Sequence, residues 1–221
     1  LIPSVVTAIQ ANSRVFREKN VAQPISDAAL DTIFRNARTY RRSADAWLDK
    51  PVDDAQLRAV FDLAKLGPTS ANCSPGRFVI VRSPEAKEKL KTALSHGNVD
   101  QTMAAPTTVI VGSDETFYEE LPRLYKESPD AITWFKGKPE VIATTAFRNA
   151  SLQGAYFIIA ARALGLDCGP MSGFDNAKVD ALFFAGTATK SNFLINIGYG
   201  NPAVIHPREA RYAFDEVCRI V

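Results

Sequence analysis

From residue 26 onward the apolar positions alternate between a helical period and short extended runs. Residues 1–24 lack a strong period and read as an arm, helical in part, so the expected division is an arm at 1–25 and one domain at 26–221. Ser26 suits an N-cap, and Leu30, Ile33 and Phe34 then share one helical face. After Val52, Asp53 and Asp54 suit the positive end of a second helix, whose buried stripe is predicted as Leu57, Val60, Phe61 and Ala64. Gly67-Pro68 is expected to stop it, with Gly67 as a C′ glycine. The β-rich run 78–82 predicts a strand, 84–94 an exposed charged helix, and 107–111 a second, buried strand.

The polar, aromatic-bearing stretch 115–138 reads as a variable surface excursion, a candidate lid. One long helix follows over 139–165. It is apolar on most faces from Leu152 to Leu164, which asks for burial, in a chain of this size often against a second subunit. A short helix at 176–183 and an apolar strand at 193–197 complete the series. Strands alternate with helices without a regular βαβ repeat, which predicts an α+β or α/β domain with one mixed central sheet.

Composition narrows the function classes. With 221 residues, 46% hydrophobic, 23% charged and a formal net charge of +2, the chain carries no field that points to nucleic acid or a membrane surface. Cys73, Cys168 and Cys218 are odd in number and widely spaced, against a disulfide framework or zinc site, and a cytoplasmic location is the expectation. No apolar run reaches the ~18 residues of a membrane span, and residues 1–10 lack a basic region ahead of their apolar residues. There is no G-x-G-x-x-G after a strand, no phosphate-binding P-loop and no G-x-S-x-G elbow. His96 and His206 are the only histidines, which excludes a His-rich metal site.

Three segments carry candidate chemistry. The run PTSANCSP (68–75) gathers two hydroxyls, an amide and free backbone N–H groups between a helix end and a strand start. It could hydrogen-bond a flat heterocycle, or simply turn the chain. Cys73 within it is a minor nucleophile candidate, with no histidine near in sequence. The run GLDCGPMSGFD (165–175) lets backbone approach a ligand ring, or caps a helix and leads on. Arg38, Arg41 and Arg42 near one end, and Arg208 and Arg211 near the other, would form an anion site if the ends converge, or else a solvated surface.

Together these segments resemble the nitroreductase superfamily of FMN enzymes over about residues 26–221. The loop 68–75 resembles its P-S-S-x-N-x-Q-P segment, 165–175 its G-L-x-x-x-P-x-x-G-F-D segment, INIGYG (195–200) its penultimate strand and glycine turn, and Arg208 and Arg211 its basic C-terminal phosphate contacts. Within it, the loop, the run TAFRNASLQ (145–153) and GPMSGFD resemble the malonic semialdehyde reductase subgroup of pyrimidine degradation.

The resemblance implies an α+β, three-layer α/β/α fold with a mixed, mainly antiparallel sheet, in an interlocked homodimer. It implies FMN as cofactor, NADPH or NADH as hydride donor, and reduction of malonic semialdehyde to 3-hydroxypropionate. A general nitro or quinone reductase and a non-catalytic flavin-binding module are the alternatives. Pro68, Thr69, Ser70, Asn72, Asn98, Pro170, Met171, Ser172, Gly173 and Gly198 are then expected at FMN, with Arg208 and Arg211 at its phosphate. At the N-terminal phosphate site, alignment on Trp47 selects Arg41, Arg42 and Ser43, whereas the subgroup's A-R-T-x-N-x-W pattern selects Arg38 and Thr39. Ser74 and Gly76 stand where the family has Gln and Trp, and Asp45 where it has a base. No catalytic side chain is expected, since the flavin carries the redox chemistry. Arg77 and Arg148 are candidates for an acceptor carboxylate.

Overall fold

The computed structural model describes residues 23–41 and 43–221. Most of the arm expected at 1–25, and Arg42, lie outside the described residues. Four strands, β1 (Gly76–Val81), β2 (Thr107–Asp114), β3 (Asp167–Met171) and β4 (Thr189–Gly198), form one sheet in the order β1-β2-β4-β3. Every ladder is antiparallel, and the parallel component reduces to a single bridge between Thr39 and Cys168. β2 is buried at all eight positions, as a central strand covered on both faces must be.

Alternation along β2 and β4 divides the core. Val109, Val111, Ile195 and Ile197 face α2 (Asp54–Ala64) and the 25-residue α6 (Pro139–Ala163). Ile110 and Leu194 face α3 (Pro84–Lys91) and α7 (Asn176–Phe183). The result is the expected three-layer sandwich, with α4 (Val99–Ala104) on the α3 side. Near the start, Ser26 caps α1 (Asp27–Leu30), which runs on into a π-turn at Asp31–Arg35.

Several local expectations change. α2 starts on a reciprocal cap, the Gln56 N–H donating to Asp53 at 2.7 Å and the Asp53 N–H to Gln56 at 3.1 Å. Its stripe is Leu57, Val60 and Ala64, whereas Phe61 is exposed, because the helix lies against the sheet margin. Gly67 is not left-handed; a Cβ there would meet the Tyr156 ring at 2.5 Å, so close approach explains it. Gly165 is the true C′ glycine, at φ 77°, ending α6. The helix at 84–91 is not wholly exposed: Lys87 and Leu90 are buried. Residues 115–138 are no loose excursion. With α5 (Leu121–Leu124) at their centre, they bury Phe117, Leu121, Ala131 and Phe135 against Cys73, Ile142 and Ala146. The chain ends past an exposed turn, α8 (Phe214–Val217).

Candidate active site

β3 was unforeseen because Gly169 and Pro170 weaken a strand pattern, yet an edge strand tolerates both. A Cβ at Gly169 would lie 2.5 Å from the Tyr40 carbonyl oxygen, so only glycine lets residues 39–40 run this close to β3. The ladder ends at Met171, which leaves the Ser172 and Gly173 N–H groups outside the sheet. Beside them opens a cavity of about 370 Å³, lined by Arg41, Asn98, Gln101 and the run from Pro170 to Gly173. The Asn98 amide donates to the Gly173 carbonyl at 2.9 Å, and a Cβ at Gly173 would strike that amide at 2.5 Å.

Arg41 also lines an adjoining pocket of about 190 Å³, together with Arg38, Arg162, Arg208 and Arg211. The segment that carries Arg38 and Arg41 and the one that carries Arg208 and Arg211 therefore converge. Arg208 is anchored by donating to the carbonyls of Phe34, Arg35 and Ala37 at 2.8–3.0 Å, the end of the π-turn. Its pKa is pushed down by desolvation first, then by the neighbouring charges of Arg38, Arg211 and Arg162. The one carboxylate on the lining, Glu209, pairs with Arg41 at 3.1 Å from a largely exposed position. Among the described residues the buried Arg162 Nε finds no acceptor. Five guanidiniums on one lining, with Glu209 paired to Arg41 and Asp167 near Arg162 as the carboxylates that act on them, can together hold an anion.

The loop 68–75 lies elsewhere. It joins α2 to β1, at the sheet edge opposite β3, three strand spacings or about 14 Å away. Ala71, Asn72 and Ser74 all have left-handed backbone, at φ 50°, 48° and 40°. Such conformations cost about 1–2 kcal/mol per non-glycine residue, and the surroundings hold them. Asn149 accepts from the Ser70 N–H at 2.8 Å, Gln153 accepts from the Gly76 N–H at 2.7 Å, and Asn72 donates to the Leu124 carbonyl at 2.8 Å.

Of the residues singled out from sequence, the structure gathers Arg38, Arg41, Asn98, Pro170, Met171, Ser172, Gly173, Arg208 and Arg211 around the two cavities that share Arg41. Both alternatives for the N-terminal phosphate contact, Arg38 and Arg41, thus lie together. Ser43 is apart, its hydroxyl accepting from the Asp45 N–H at 3.0 Å in a local turn. Gly198 is buried, and a Cβ there would meet the Pro106 and Trp47 rings rather than the cavity. Pro68, Thr69, Ser70 and Asn72 stay together on the distant loop. Cys73 is buried and desolvation pushes its thiol up to about 11, so it is no nucleophile. Arg77 is engaged by Asp114 and by the Ser74 and Gly76 carbonyls. Arg148 stands on an exposed face of α6 beside Phe147, Ser151 and Leu152, lining a shallow cavity of about 700 Å³. Sequence reasoning passed over Asn149, Gln153 and Arg162. The first two carried a signal, polar residues four apart on one face of an otherwise apolar helix.

Comparison with known proteins places this geometry in a wider setting. A family model described as "Nitroreductase family" matches residues 38–199. A protein of Burkholderia lata, provisionally named an NADH dehydrogenase/NAD(P)H nitroreductase, is 64% identical over 196 residues, covering 89% of this chain and 98% of its own. A solved structure from Bacillus subtilis, provisionally named a nitroreductase, is 25% identical with a TM-score of 0.74, covering 82% of this chain and 95% of that one. Another from Exiguobacterium sibiricum, provisionally named a nitroreductase and solved in complex with FMN, has a TM-score of 0.77 at 16% identity, covering 91% and 100%.

Proposed function

The chain belongs to the nitroreductase family, and on that premise we propose that it is an FMN-dependent NAD(P)H oxidoreductase acting as a homodimer. The observation that carries this reading is a pair of cavities that share Arg41 as a lining residue: one against Pro170–Gly173 and one lined by five arginines. A flat heterocycle with a phosphate tail has that shape and charge. Pro170, Met171, Ser172 and Gly173 would flank the ring, Asn98 would hold the rim, and Arg38, Arg41, Arg162, Arg208 and Arg211 would hold the phosphate. FMN, when bound, supplies the two-electron chemistry, accepting hydride from NAD(P)H and passing it to the acceptor. The protein's part is to orient the ring and, through the arginines and the Ser172 and Gly173 N–H groups, to favour negative charge on it.

The polar loop with Thr69, Ser70 and Asn72 cannot reach this slot within one chain, but a second copy could bring its own. Exposed apolar side chains support that assembly. Val141, Phe147, Leu152 and Tyr156 stand out from α6, and Tyr212, Phe214, Val217 and Ile220 from the C-terminal segment. For the acceptor we propose a small carboxylate-bearing aldehyde, malonic semialdehyde, reduced to 3-hydroxypropionate as in pyrimidine degradation. The candidate for its carboxylate is Arg148, with which no carboxylate pairs among the described residues, since Arg77 is engaged by Asp114. A second reading, a general nitroreductase, is favoured by the name of the 64% identical relative.

The purified chain should be yellow or become so with FMN, sediment as a dimer, and oxidise NADH or NADPH when given an acceptor. Failure to bind FMN at micromolar concentrations would overturn the assignment. FMN binding without nicotinamide oxidation above background would instead identify a flavin-binding module. The two acceptors are separated by Arg148→Met. The aldehyde reading expects KM for malonic semialdehyde to rise about tenfold, the worth of a lost charged hydrogen bond, with KM for a nitroarene unchanged. Equal values for the unaltered chain and Arg148→Met on both acceptors favour the general reductase.

A further inference from the structure

Among the described residues, two charged side chains are buried outside the two cavities: Asp114, which pairs with Arg77, and Lys87. Lys87 on α3 is 5% exposed, and among the described residues no carboxylate pairs with it. Burying an ammonium without a counter-ion costs several kcal/mol unless its hydrogen bonds are complete. Here all three N–H groups have acceptors: the Thr102 carbonyl at 2.6 Å, the Ala105 carbonyl at 2.7 Å and the Thr108 hydroxyl at 3.0 Å. Two of these are main-chain oxygens at the end of α4, which the helix itself leaves without donors.

The third acceptor begins a chain of contacts toward the ring slot. Thr108 donates to the Asn196 side-chain oxygen at 2.7 Å. Asn196 donates to the Gln101 carbonyl at 3.3 Å and the Thr102 hydroxyl at 3.2 Å. The Thr102 hydroxyl lies 3.5 Å from the Met171 sulfur, and the Gln101 amide donates to Asn98 at 2.8 Å. Asn98 in turn holds the Gly173 carbonyl. Trp47, whose indole N–H donates to the Gln101 carbonyl at 3.0 Å, ties in the segment that carries Arg41. Every group between Lys87 and the slot is therefore in hydrogen-bond or sulfur contact with the next, and α4 is the shared element.

We propose that Lys87 is a positioning residue for the ring cavity, its ammonium fixing the end of α4 and thereby the places of Asn98, Met171 and Gly173. The assignment of that cavity to a flavin rests on the reading above; the mechanical role of Lys87 does not.

The test is hydrogen exchange on the full chain, with and without FMN, for the unaltered protein, Lys87→Met and Thr108→Val. Thr108→Val keeps the charge and its two carbonyl contacts and removes the hydroxyl that accepts from Lys87 and donates to Asn196. The expected result without FMN is at least tenfold faster exchange in Lys87→Met, confined to residues 96–104 and 171–174, with the β1–β2 amides unchanged. Thr108→Val should show a smaller change in the same segments. With FMN, the dissociation constant should rise about tenfold for Lys87→Met, with an altered visible circular dichroism of the bound flavin. Faster exchange spread over the whole sheet, or none in either variant, overturns the proposal. If Lys87→Met does not fold, Thr108→Val decides by the same local pattern. Should the unaltered chain bind no FMN, the flavin assignment falls while the exchange pattern still decides the role of Lys87.

Discussion

At the scale of single residues, burial decides which reactive groups are available. Desolvation pushes the Cys73 thiol up to about 11 and the Cys168 thiol to about 12, so neither forms an appreciable thiolate at neutral pH. Iodoacetamide at pH 8 should leave both unmodified in the folded protein, as read by peptide mass spectrometry, and a Cys73→Ser chain should keep its turnover. Asn149 has the opposite character: fully buried, it is held by donating to the Thr145 carbonyl at 2.9 Å while its oxygen accepts the Ser70 N–H. Asn149→Ala removes the acceptor that steadies three left-handed residues. A loss of about 1–3 kcal/mol in stability is expected, measured by urea denaturation, with weaker FMN binding, because the strained loop relaxes. The polar loop was legible in sequence from its residue types. Its tether was not, because it reaches across from a helix more than seventy residues away.

At the scale of elements, what could be read depended on whether the signal was local. The α2 cap, the extent of α6 to its C′ glycine, and α7 follow from neighbouring residues. β3 did not, since Gly169 and Pro170 are set by contacts with Tyr40 and by its place at an edge. The convergence of Arg38 and Arg41 with Arg208 and Arg211 could be posed but not decided, because it depends on how the C-terminal segment crosses the π-turn. The long helix shows both sides. Its excess of apolar residues was plain, and after one side has packed on the sheet Val141, Phe147, Leu152 and Tyr156 are still exposed. Phe147 and Leu152 line one face together, and an exposed apolar face on a folded chain marks an interaction surface. Phe147 is 59% exposed. Phe147→Glu costs the isolated chain little, because the carboxylate meets water, but would be unpaired in a dimer. Analytical ultracentrifugation should show this variant shifted to monomer, with loss of bound flavin in parallel. A dimer of unaltered affinity would place the subunit contact elsewhere.

At the scale of the whole molecule, the buried amine makes stability depend on pH in an unusual direction. The charged helix 84–91 looked wholly solvated in sequence, although Lys87 and Leu90, three apart, share a face. Desolvation pushes the Lys87 ammonium down to about 8, against 10.5 for an unburied lysine. Below pH 8 both folded and unfolded chains hold the proton, and the folded state bears the full cost of burying the charge. Between pH 8 and 10.5 the folded chain releases it while the unfolded chain retains it. The unfolded state then binds more protons, so unfolding becomes harder as pH rises. Over 2.5 pKa units this amounts to at most about 3 kcal/mol. Other lysines and tyrosines titrate in the same range, so the quantity to follow is a difference. Urea denaturation of the unaltered chain and of Lys87→Met at intervals from pH 7 to 10.5 should show the unaltered chain gaining stability relative to the variant. The gain should begin near pH 8 and level off near 10.5. A difference that stays flat across that window would mean that the three acceptors hold the proton on Lys87 as firmly as water does, and that the buried site stabilises its charge fully.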